Sequence, residues 1–569
     1  MSMHSVRRSR AVRRSTSLLA VVVSVMVVAG LLAAAAAASP ASDDADAQKN
    51  KALVLSGPMT PSKAKLQGKT NVDFGPNCDT TTGRVKIPSV YAPPCVQPFT
   101  GKNGGATSQG VTGSEIKIVV YTGDPQKDPL LAGQIRAAGA SLDIEPIRQT
   151  WQGYIDIYNK MFEQYGRKIS TEFYLATGAG SDTTAAKADA IAIAEKKPFA
   201  VLGGPAQSST VFADELAHRG VLCLGTCALA MPQKISDQNK PYLFTDGPSP
   251  EEAATLTAEF ISKQAGPGKA QYAGNDATKN KNRVYGIVHY DTPDGQYKGL
   301  FDTLKAQLKK HNITPKADQS FFLDLSRAQE NARTIVTKMK DAGVTTVIYT
   351  GDPLTPGAVT KEATAQDFHP EWILGPSVLA DTSIFARTFD QEQWSHSIGV
   401  ALVPGRTPQD LNWTYNLYQW FHGTPPPNNT YGVINPSVQL FATGVHMAGP
   451  KLTPQAFRDG LYRTPPSGGD PINPQLSWGK HGAWPFVDNY GSDDAGMLWW
   501  DPTAVGEDEV HQVGNGLYRY ADGAKRYTLG KFPAKGQGGL FDTASSVTIF
   551  DQLPPADAQP NYPPPAAGG

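Results

Sequence analysis

The sequence predicts an α/β fold built from two similar lobes with a cleft between them. Residues 199–228 follow the order strand, glycine-rich loop, helix, strand and loop, which is typical of parallel sheets. The same alternation of strands and helices extends over residues 115–263. A second series begins at residue 284, after a connecting loop at residues 264–282 that is rich in glycine and lysine. Two such series joined by short links predict two doubly wound lobes.

The first lobe begins with a strand at residues 116–121, followed by a helix with a stripe of large apolar side chains. A stripe at steps of three and four residues marks the buried face of a helix far more often than a ligand site. A strand is expected at residues 168–175, and Ser181 or Asp182 should cap the alanine-rich helix after it. The stripe consists of Trp151, Ile155, Tyr158, Phe162 and Tyr165.

The unit at residues 199–228 supplies two candidate binding loops. Gly203, Gly204 and Pro205 end its first strand, because glycine frees φ and proline removes a backbone donor. In open α/β sheets ligands lie beyond the carboxyl ends of the strands, where helix N-termini converge. Residues 203–209 and 225–229 are therefore the candidate loops. A second interpretation is that Ser208 or Ser209 only caps the following helix.

The remaining elements follow the same logic. A strand is expected at residues 241–245, and Ser249 with Glu252 is typical of a capping box at the start of a helix. Ser326 is expected to cap the helix that Gly343 ends. The strands predicted for the second lobe are residues 284–288, 319–323, 344–349, 372–377 and 398–403.

Charge and the N-terminus limit where the protein works. Lys and Arg total 52, as do Asp and Glu, so no electrostatic footprint of a nucleic-acid partner is visible. Five arginines precede an apolar run at residues 18–38, which predicts a signal peptide over residues 1–47 and an extracytoplasmic mature protein. The apolar run is also long enough to serve as an uncleaved anchor, so membrane contact is expected only through this segment or a permease.

Four cysteines fit an oxidising compartment. Proximity predicts a Cys78–Cys95 disulfide around a proline-rich loop and a Cys223–Cys227 disulfide across the second candidate loop. Neither pair has C-x-x-C spacing and no histidine cluster accompanies them, so no metal site is predicted. No phosphate loop, zinc helix or nucleophile elbow is present, and neither a cofactor nor a catalytic residue is predicted.

Over residues 114–500 the sequence resembles the type I periplasmic solute-binding proteins, specifically the branched-chain amino-acid-binding (leucine-binding protein-like) family of ABC transporters. The resemblance implies two Rossmann-like lobes joined by hinge strands, which close on a ligand bound between them. It also implies a small solute and an ABC transporter permease as partners. The segments that carry it are LGGPAQSST, ADELAHRGVLCLGT, IVHYDTPDGQY and MKDAGVTTVIYTGD.

The family's ligand positions fall on nine residues of this chain, several of which depart from the family pattern. The serine loop that grips a ligand carboxylate falls on Gln207, Ser208 and Ser209, and the next loop falls on Cys227, Ala228 and Leu229, without the usual threonine. Aromatic positions of the second lobe become Asp294 and Asp352, and the glutamate that receives the ligand ammonium becomes Ser377.

A buried ligand ammonium needs a carboxylate partner, and the family's usual glutamate is absent here. Asp294 or Asp352 could supply that charge from another direction, so the departures predict a small polar or partly cationic ligand in preference to leucine-like ones. For Asp294 and Asp352 the sequence also fits a purely structural role in turns. Two other function classes stay open at this stage, an envelope sensing or interaction module with the same fold and an extracytoplasmic enzyme.

The ends of the chain complete the predicted organisation. Residues 503–569 form a loop-rich tail in which residues 518–529 are expected to pair as a hairpin, and the proline-rich end is expected to be disordered. The predicted divisions are 1–47 signal peptide, 48–113 disulfide-stapled extension, 114–263 first lobe, 283–405 second lobe, 406–502 crossover and return elements, and 503–569 tail.

Overall fold

The computed structural model describes residues 39–137, 141–292, 294–377, 379–405, 407–469, 471–548, 554 and 558–565. The chain divides into two compact units, Met1–Ser56 and Gly57–Gly569. In the first unit the described residues form one helix, α1 (Ser39–Ser56), which runs across the predicted boundary at residues 47 and 48. Residues 1–38, which hold most of the predicted signal peptide, lie outside the described residues.

The second unit begins with a short extension that leads into the first sheet. A helix and a two-stranded antiparallel ladder make up the regular structure of the extension. Cys78 and Cys95 form the predicted disulfide within it. These elements are α2 (Pro61–Leu66), β1 (Cys78–Asp79) and β2 (Arg84–Val85).

A five-stranded parallel sheet forms the centre of the first lobe, with the strand order β4-β3-β5-β6-β7. Gly203 ends β5 with φ +75°, and a Cβ there would lie 2.2 Å from the Tyr121 carbonyl oxygen, so the turn needs glycine. The elements are β3 (Glu115–Thr122), α3 (Pro129–Ala137), α4 (Ile144–Met161), β4 (Lys168–Leu175), α5 (Thr183–Glu195), β5 (Ala200–Leu202), α6 (Ser209–His218), β6 (Leu222–Leu224), α7 (Gln233–Gln238) and β7 (Leu243–Phe244).

The second sheet runs in the order β14-β13-β12-β11-β10-β8-β9, and β15 pairs with β13. Strands β8 to β12 are parallel, whereas β13, β14 and β15 are antiparallel additions at one edge. The elements are α8 (Pro250–Phe260), α9 (Asp276–Lys279), β8 (Tyr285–Tyr290), α10 (Lys298–Lys310), β9 (Ala317–Phe321), α11 (Ala328–Asp341), β10 (Thr346–Thr350), α12 (Thr355–Ala365), β11 (Glu371–Leu374), α13 (Ser383–Ala386), α14 (Gln391–Trp394), β12 (Ser397–Ala401), β13 (Asp494–Glu507), β14 (Val513–Tyr520) and β15 (Tyr527–Thr528).

Three return helices lie between β12 and β13 in the sequence but pack on the first sheet. They are amphipathic or apolar, and their buried faces share one core with α4 and with one face of β3. Alternate residues of β3 divide between two cores, Ile118 and Val120 on this side and Val119 and Tyr121 on the side of α5 and α6. The return helices are α15 (Trp413–His422), α16 (Tyr431–Ala448) and α17 (Pro454–Arg463).

Several local predictions are wrong. The helix with the aromatic stripe ends at Met161, and Tyr165 lies beyond it with φ 58°. Ser326 does not cap α11, because Arg327 occupies the N-cap position. Ser326 instead lies in a preceding 3-10 turn, Leu325–Arg327, where its backbone amide donates to the Asp324 side chain. Residues 518–529 do not form a hairpin, since β14 pairs with β13 and β15 pairs with a separate part of β13.

The end of the chain is ordered where the structure describes it, contrary to the prediction from its proline content. The Val90 amide donates to Gln559 Oε1 at 2.8 Å, and Trp420 Nε1 donates to the Tyr562 carbonyl oxygen at 2.8 Å. The Tyr562 hydroxyl donates to Asp79 at 2.9 Å. The tail is therefore held against the extension and α15.

Candidate binding cleft and hinge

Three crossover segments connect the lobes. The first, residues 245–249, leads from β7 to α8; the second, residues 402–405, leaves β12; the third, residues 489–493, leads into β13. The first and third pair with each other, because the Thr245 amide donates to the Asn489 carbonyl and the Gly491 amide donates to the Gly247 carbonyl, both at 3.2 Å. These segments form the hinge, and the loops after the parallel strands of both sheets face the cleft beside it.

The loop between β5 and α6 presents two buried serines to the cleft. Ser208 occupies the N-cap position but makes no side-chain cap bond, and its buried Oγ has no hydrogen-bond partner in the described part of the chain. Ser209 Oγ lies 2.8 Å from the Leu229 carbonyl and 3.0 Å from Gln296 Oε1. Neither hydroxyl caps α6, so the interpretation of these serines as simple caps is wrong.

Gln296 of the second lobe closes against the serine loop of the first. Its side chain is 1% exposed, and its Nε2 donates to the Ala206 carbonyl at 3.4 Å. The Ser209 hydroxyl has one proton, so it donates to Leu229 or to Gln296 at any moment but not to both. The two lobes thus meet through polar contacts at the predicted binding loop.

Asp294 lies beside this contact and faces the start of α6. Its Oδ1 accepts hydrogen bonds from Thr292 Oγ1 at 2.8 Å and from the Gln296 amide at 3.2 Å. Its Oδ2 is buried without a hydrogen-bond partner among the described residues. Burial raises the pKa of Asp294, although nearby donors, including the Thr210 backbone amide, act in the opposite direction.

Carboxylates of both lobes act electrostatically on the Tyr290 side chain. Burial raises the pKa of Tyr290, and the neighbouring Tyr297, Asp352, Asp294 and Asp128 raise it further. Asp128 belongs to the first lobe, where its two oxygens accept the Leu131 and Gly180 amides. This part of the cleft is therefore acidic.

Asp352 has a structural role at the start of α12. Its Oδ1 accepts the Leu354 and Thr355 amides at 2.7 and 2.8 Å, and its Oδ2 accepts the Thr355 hydroxyl at 2.8 Å. These hydrogen bonds fit the structural role in a turn that the sequence suggested for Asp352. Both oxygens are occupied, which distinguishes Asp352 from Asp294.

The other sequence-predicted positions differ in what they can offer a ligand. Cys227 is bonded to Cys223 in the predicted disulfide, so its sulfur is not a free thiol. Ala228 is buried next to it, and Leu229 contributes its carbonyl to Ser209. Gln207 and Ser377 are half-buried in their loops and take no part in the contacts between the lobes described above.

Gln296, Tyr290 and Asp128 were missed by the sequence analysis. Gln296 follows Asp294 by two residues within IVHYDTPDGQY, so the position of this loop after β8 was the available signal. Nothing local marks Asp128, because its place in the cleft depends on the packing of α3.

The profile of one protein family, described as periplasmic binding protein, matches residues 145–483, which is more than half of the chain. The chain belongs to the periplasmic binding protein family. This confirms the resemblance and the two-lobed α/β fold predicted from the sequence. Members of the family are extracytoplasmic proteins that bind small ligands, and the chain is a solute-binding protein of this kind.

Solved structures of binding proteins resemble this one at low sequence identity. They include the branched-chain amino-acid-transporter binding protein LivJ of Streptococcus pneumoniae with isoleucine (15% identity, TM-score 0.45, 71% of this chain and 100% of that one). A fatty acid ABC transporter binding protein of Thermomonospora curvata has 12% identity, a TM-score of 0.46 and coverages of 73% and 96%. A solute-binding protein of Rhodopseudomonas palustris HaA2 with p-hydroxybenzoic acid has 12% identity, a TM-score of 0.47 and coverages of 73% and 97%. No protein of curated function matches the chain.

The described helices include none that is both long enough and apolar enough to cross a bilayer. Both disulfides predicted for this binding protein are present. Such bonds persist in oxidising compartments, in agreement with the extracytoplasmic location of the family.

Three buried carboxyl groups lie at the hinge of this binding protein. Glu252 is 1%, Asp488 5% and Asp493 0% exposed. Burial raises the pKa values of Glu252 and Asp488, the Asp493 carboxyl raises both further, and Glu252 also raises that of Asp488. Burial raises the pKa of Asp493 to about 7, even though Ser477 and Gln475 donate to its Oδ2. These hinge carboxyls, Glu252, Asp488 and Asp493, are therefore held protonated at neutral pH more readily than ordinary acids.

Proposed function

We propose that the protein is an exported receptor that captures a small polar, cationic solute between its lobes and delivers it to an ABC transporter. Family membership supports the receptor role. The acidic surroundings of Tyr290 support a cationic ligand in preference to a branched-chain amino acid.

The observation that carries the choice of ligand is the unpartnered Oδ2 of Asp294. A buried carboxylate oxygen without a donor is costly, and a ligand ammonium placed in the cleft would remove that cost. Asp128 and Asp352 add negative potential, but backbone amides already occupy their oxygens. Asp294 is therefore the proposed partner of the ligand charge.

Ligand entry requires the contact between Gln296 and Ser209 to open. Both side chains are buried, so the lobes must separate before a solute reaches Asp294. Hinge motion at the three crossover segments supplies such opening in proteins of two lobes. We propose that the hydroxyls of Ser208 and Ser209 then bind polar groups of the ligand.

The test is a thermal-shift and calorimetry panel on the full chain with putrescine, lysine, leucine, isoleucine and valine. Putrescine or lysine should raise the Tm, and Asp294→Asn should weaken that binding about tenfold or more, as expected for loss of a charged hydrogen bond. Asp302→Asn, an exposed carboxylate on α10, is the matched control and should bind like the wild type. Strong stabilisation by the branched-chain amino acids, or undiminished amine binding by Asp294→Asn, would overturn the proposal.

The proposed export and partnership have their own measurements. Sequencing the N-terminus of the mature protein distinguishes a cleaved signal from a retained anchor. Cross-linking in intact cells followed by mass spectrometry should recover an ABC permease. Recovery of a sensor protein in its place would favour the sensing alternative over transport.

A further inference from the structure

A cavity of about 180 Å³ lies at the hinge, away from the binding loops of the cleft. None of the nine ligand positions predicted from the sequence lines it. Its walls come from the first crossover at residues 246–248, the second at residues 402–405, and one face of α16. We call it the hinge cavity.

The wall of the hinge cavity is largely apolar, and the cavity volume fits a single aromatic ring. Leu440, Ile472 and Trp478 contribute to this wall and are 2%, 6% and 6% exposed. An apolar cavity of about 150 Å³ is known to accommodate benzene. The hinge cavity can therefore take a ligand with one aromatic ring or a comparable hydrocarbon group.

Two polar side chains, Asp246 and Ser492, also line the hinge cavity. Asp246 is half-buried in the first crossover, and burial raises the pKa of its carboxyl group. Ser492 of the third crossover also lines the cavity, is 3% exposed, and has an Oγ without a hydrogen-bond partner among the described residues. A carboxylate and a hydroxyl that lacks a partner together favour a ligand that donates hydrogen bonds.

Segments from outside the family region cover the hinge cavity. Tyr91 and Gln559 both line it, and both lie beyond the matched residues 145–483. Tyr91 is held on both sides, since its hydroxyl donates to the Pro474 carbonyl at 2.9 Å and its own carbonyl accepts from Gln439 at 3.0 Å. The extension and the tail, joined by the contact of Gln559 with the Val90 amide, thus complete a wall that the shared region leaves open.

We propose that the hinge cavity is a second ligand site, which binds a small amine that carries one apolar ring. The ammonium group lies against Asp246 and Ser492, and the ring packs against the side chains of α16 and Ile472. Opposite charge selects amines over acids of the same shape. This site goes beyond the cleft function and does not depend on it. Because residues of all three crossover segments line the cavity, its ligand has a different affinity for the open and closed arrangements of the lobes.

The test measures binding of benzylamine, benzyl alcohol and benzoate to the full chain by calorimetry and ligand-observed NMR. Benzylamine should bind, benzyl alcohol more weakly, and benzoate not at all. Asp246→Asn should raise the Kd of benzylamine about 10- to 100-fold. Asp302→Asn on the exposed face of α10 is the charge-matched control and should leave the Kd unchanged.

Two further variants locate the ligand. Thr443→Leu adds volume inside the cavity from α16 and should abolish benzylamine binding without removing a charge. Asp294→Asn, in the cleft, should leave benzylamine binding intact, so failure of the cleft proposal and failure of this one give different results. Benzoate binding as tight as that of benzylamine, or loss of benzylamine binding in Asp294→Asn alone, would overturn the proposal.

Discussion

The cleft and the hinge both bury carboxyl groups, but they stabilise them in different ways. In the cleft, Asp128 and Asp352 accept backbone amides at helix starts, which is a favourable site for a negative charge. At the hinge, Glu252 and Asp488 lie close together and burial favours their neutral forms. The same residue types thus have backbone donors in one region, whereas burial favours their protonated forms in the other.

Buried acids must therefore be judged by their hydrogen-bond donors and not by their number. Asp294 stands between the two cases, because one oxygen is hydrogen-bonded and the other accepts no hydrogen bond in the described part of the chain, although the Thr210 backbone amide lies near the carboxyl group. A ligand can supply the missing donor in the cleft, whereas a proton does so at the hinge.

The hinge carboxyls should make the protein less stable as the pH rises above 6.5. Their pKa values are higher in the folded than in the unfolded state, so the folded protein binds more protons and the free energy of unfolding falls with rising pH. The fall should be on the order of 1.4 kcal/mol per pH unit for each group that is still protonated in the folded state. Urea unfolding between pH 6.5 and 8.5 measures it.

Asp488→Asn is the variant that isolates this effect, since it removes one member of the interacting pair and should flatten the pH dependence. Buried His446, whose pKa burial lowers to about 4, acts only below its ordinary pKa and so leaves this window undisturbed. A free energy of unfolding that rises with pH in the window would contradict the assignment of the protons to the hinge.

Gln296→Ala should open the cleft and lower the free energy of unfolding, by less than the pH change does. The variant loses the hydrogen bonds to Ser209 and Ala206, but Ser209 keeps the Leu229 carbonyl as acceptor, so the expected loss is about 1–2 kcal/mol. Small-angle scattering should show a larger radius of gyration without ligand. Gln512→Ala, at an exposed position of the second lobe, should change neither quantity. An unchanged radius for Gln296→Ala would mean that other contacts keep the lobes together.

The smallest expected effect comes from two matched helix caps. Ser249 and Thr453 each accept the amide of the third helical residue through their side-chain oxygens, at 3.0 and 3.1 Å. Ser249→Ala and Thr453→Ala should each lower the free energy of unfolding by about 1 kcal/mol. A side-chain hydrogen bond from Ser249 also lowers the pKa of Glu252. Ser249→Ala keeps the backbone amide bond to that carboxyl but loses the side-chain one, so it should alter the pH dependence, whereas Thr453→Ala should not. If the free energy of unfolding depends on pH identically in the two variants, the Ser249 side chain does not affect the titration of the hinge carboxyls.

Much of the fold could be predicted because its signals are local. Strands such as β10 are short apolar runs bounded by glycine and polar residues, and the capping box at Ser249 can be recognised from four neighbouring residues. Disulfides between cysteines close in sequence were equally accessible. The tail was not, because Gln559 and Tyr562 find their partners 469 and 483 residues away.

The candidate site could be predicted only in part, for the same physical reason. The loops after β5 and β8 follow from topology, but the contact between Ser209 and Gln296 depends on how closely two lobes approach across 87 residues of sequence. The turn role of Asp352 was visible in its neighbours, whereas the unpartnered oxygen of Asp294 depends on rotamers and packing. The hinge carboxyls give no local signal, since Asp488 and Asp493 lie in a loop-like sequence.

The Cys223–Cys227 bond has a practical consequence for any ligand screen. It closes a small ring over residues 223–227, two residues before the Leu229 carbonyl that accepts from Ser209. Recombinant protein made in a reducing cytoplasm keeps these thiols free. Affinities measured on such material describe a differently shaped loop, so screening stocks should be produced by secretion or oxidative refolding, with thiol titration as the release criterion.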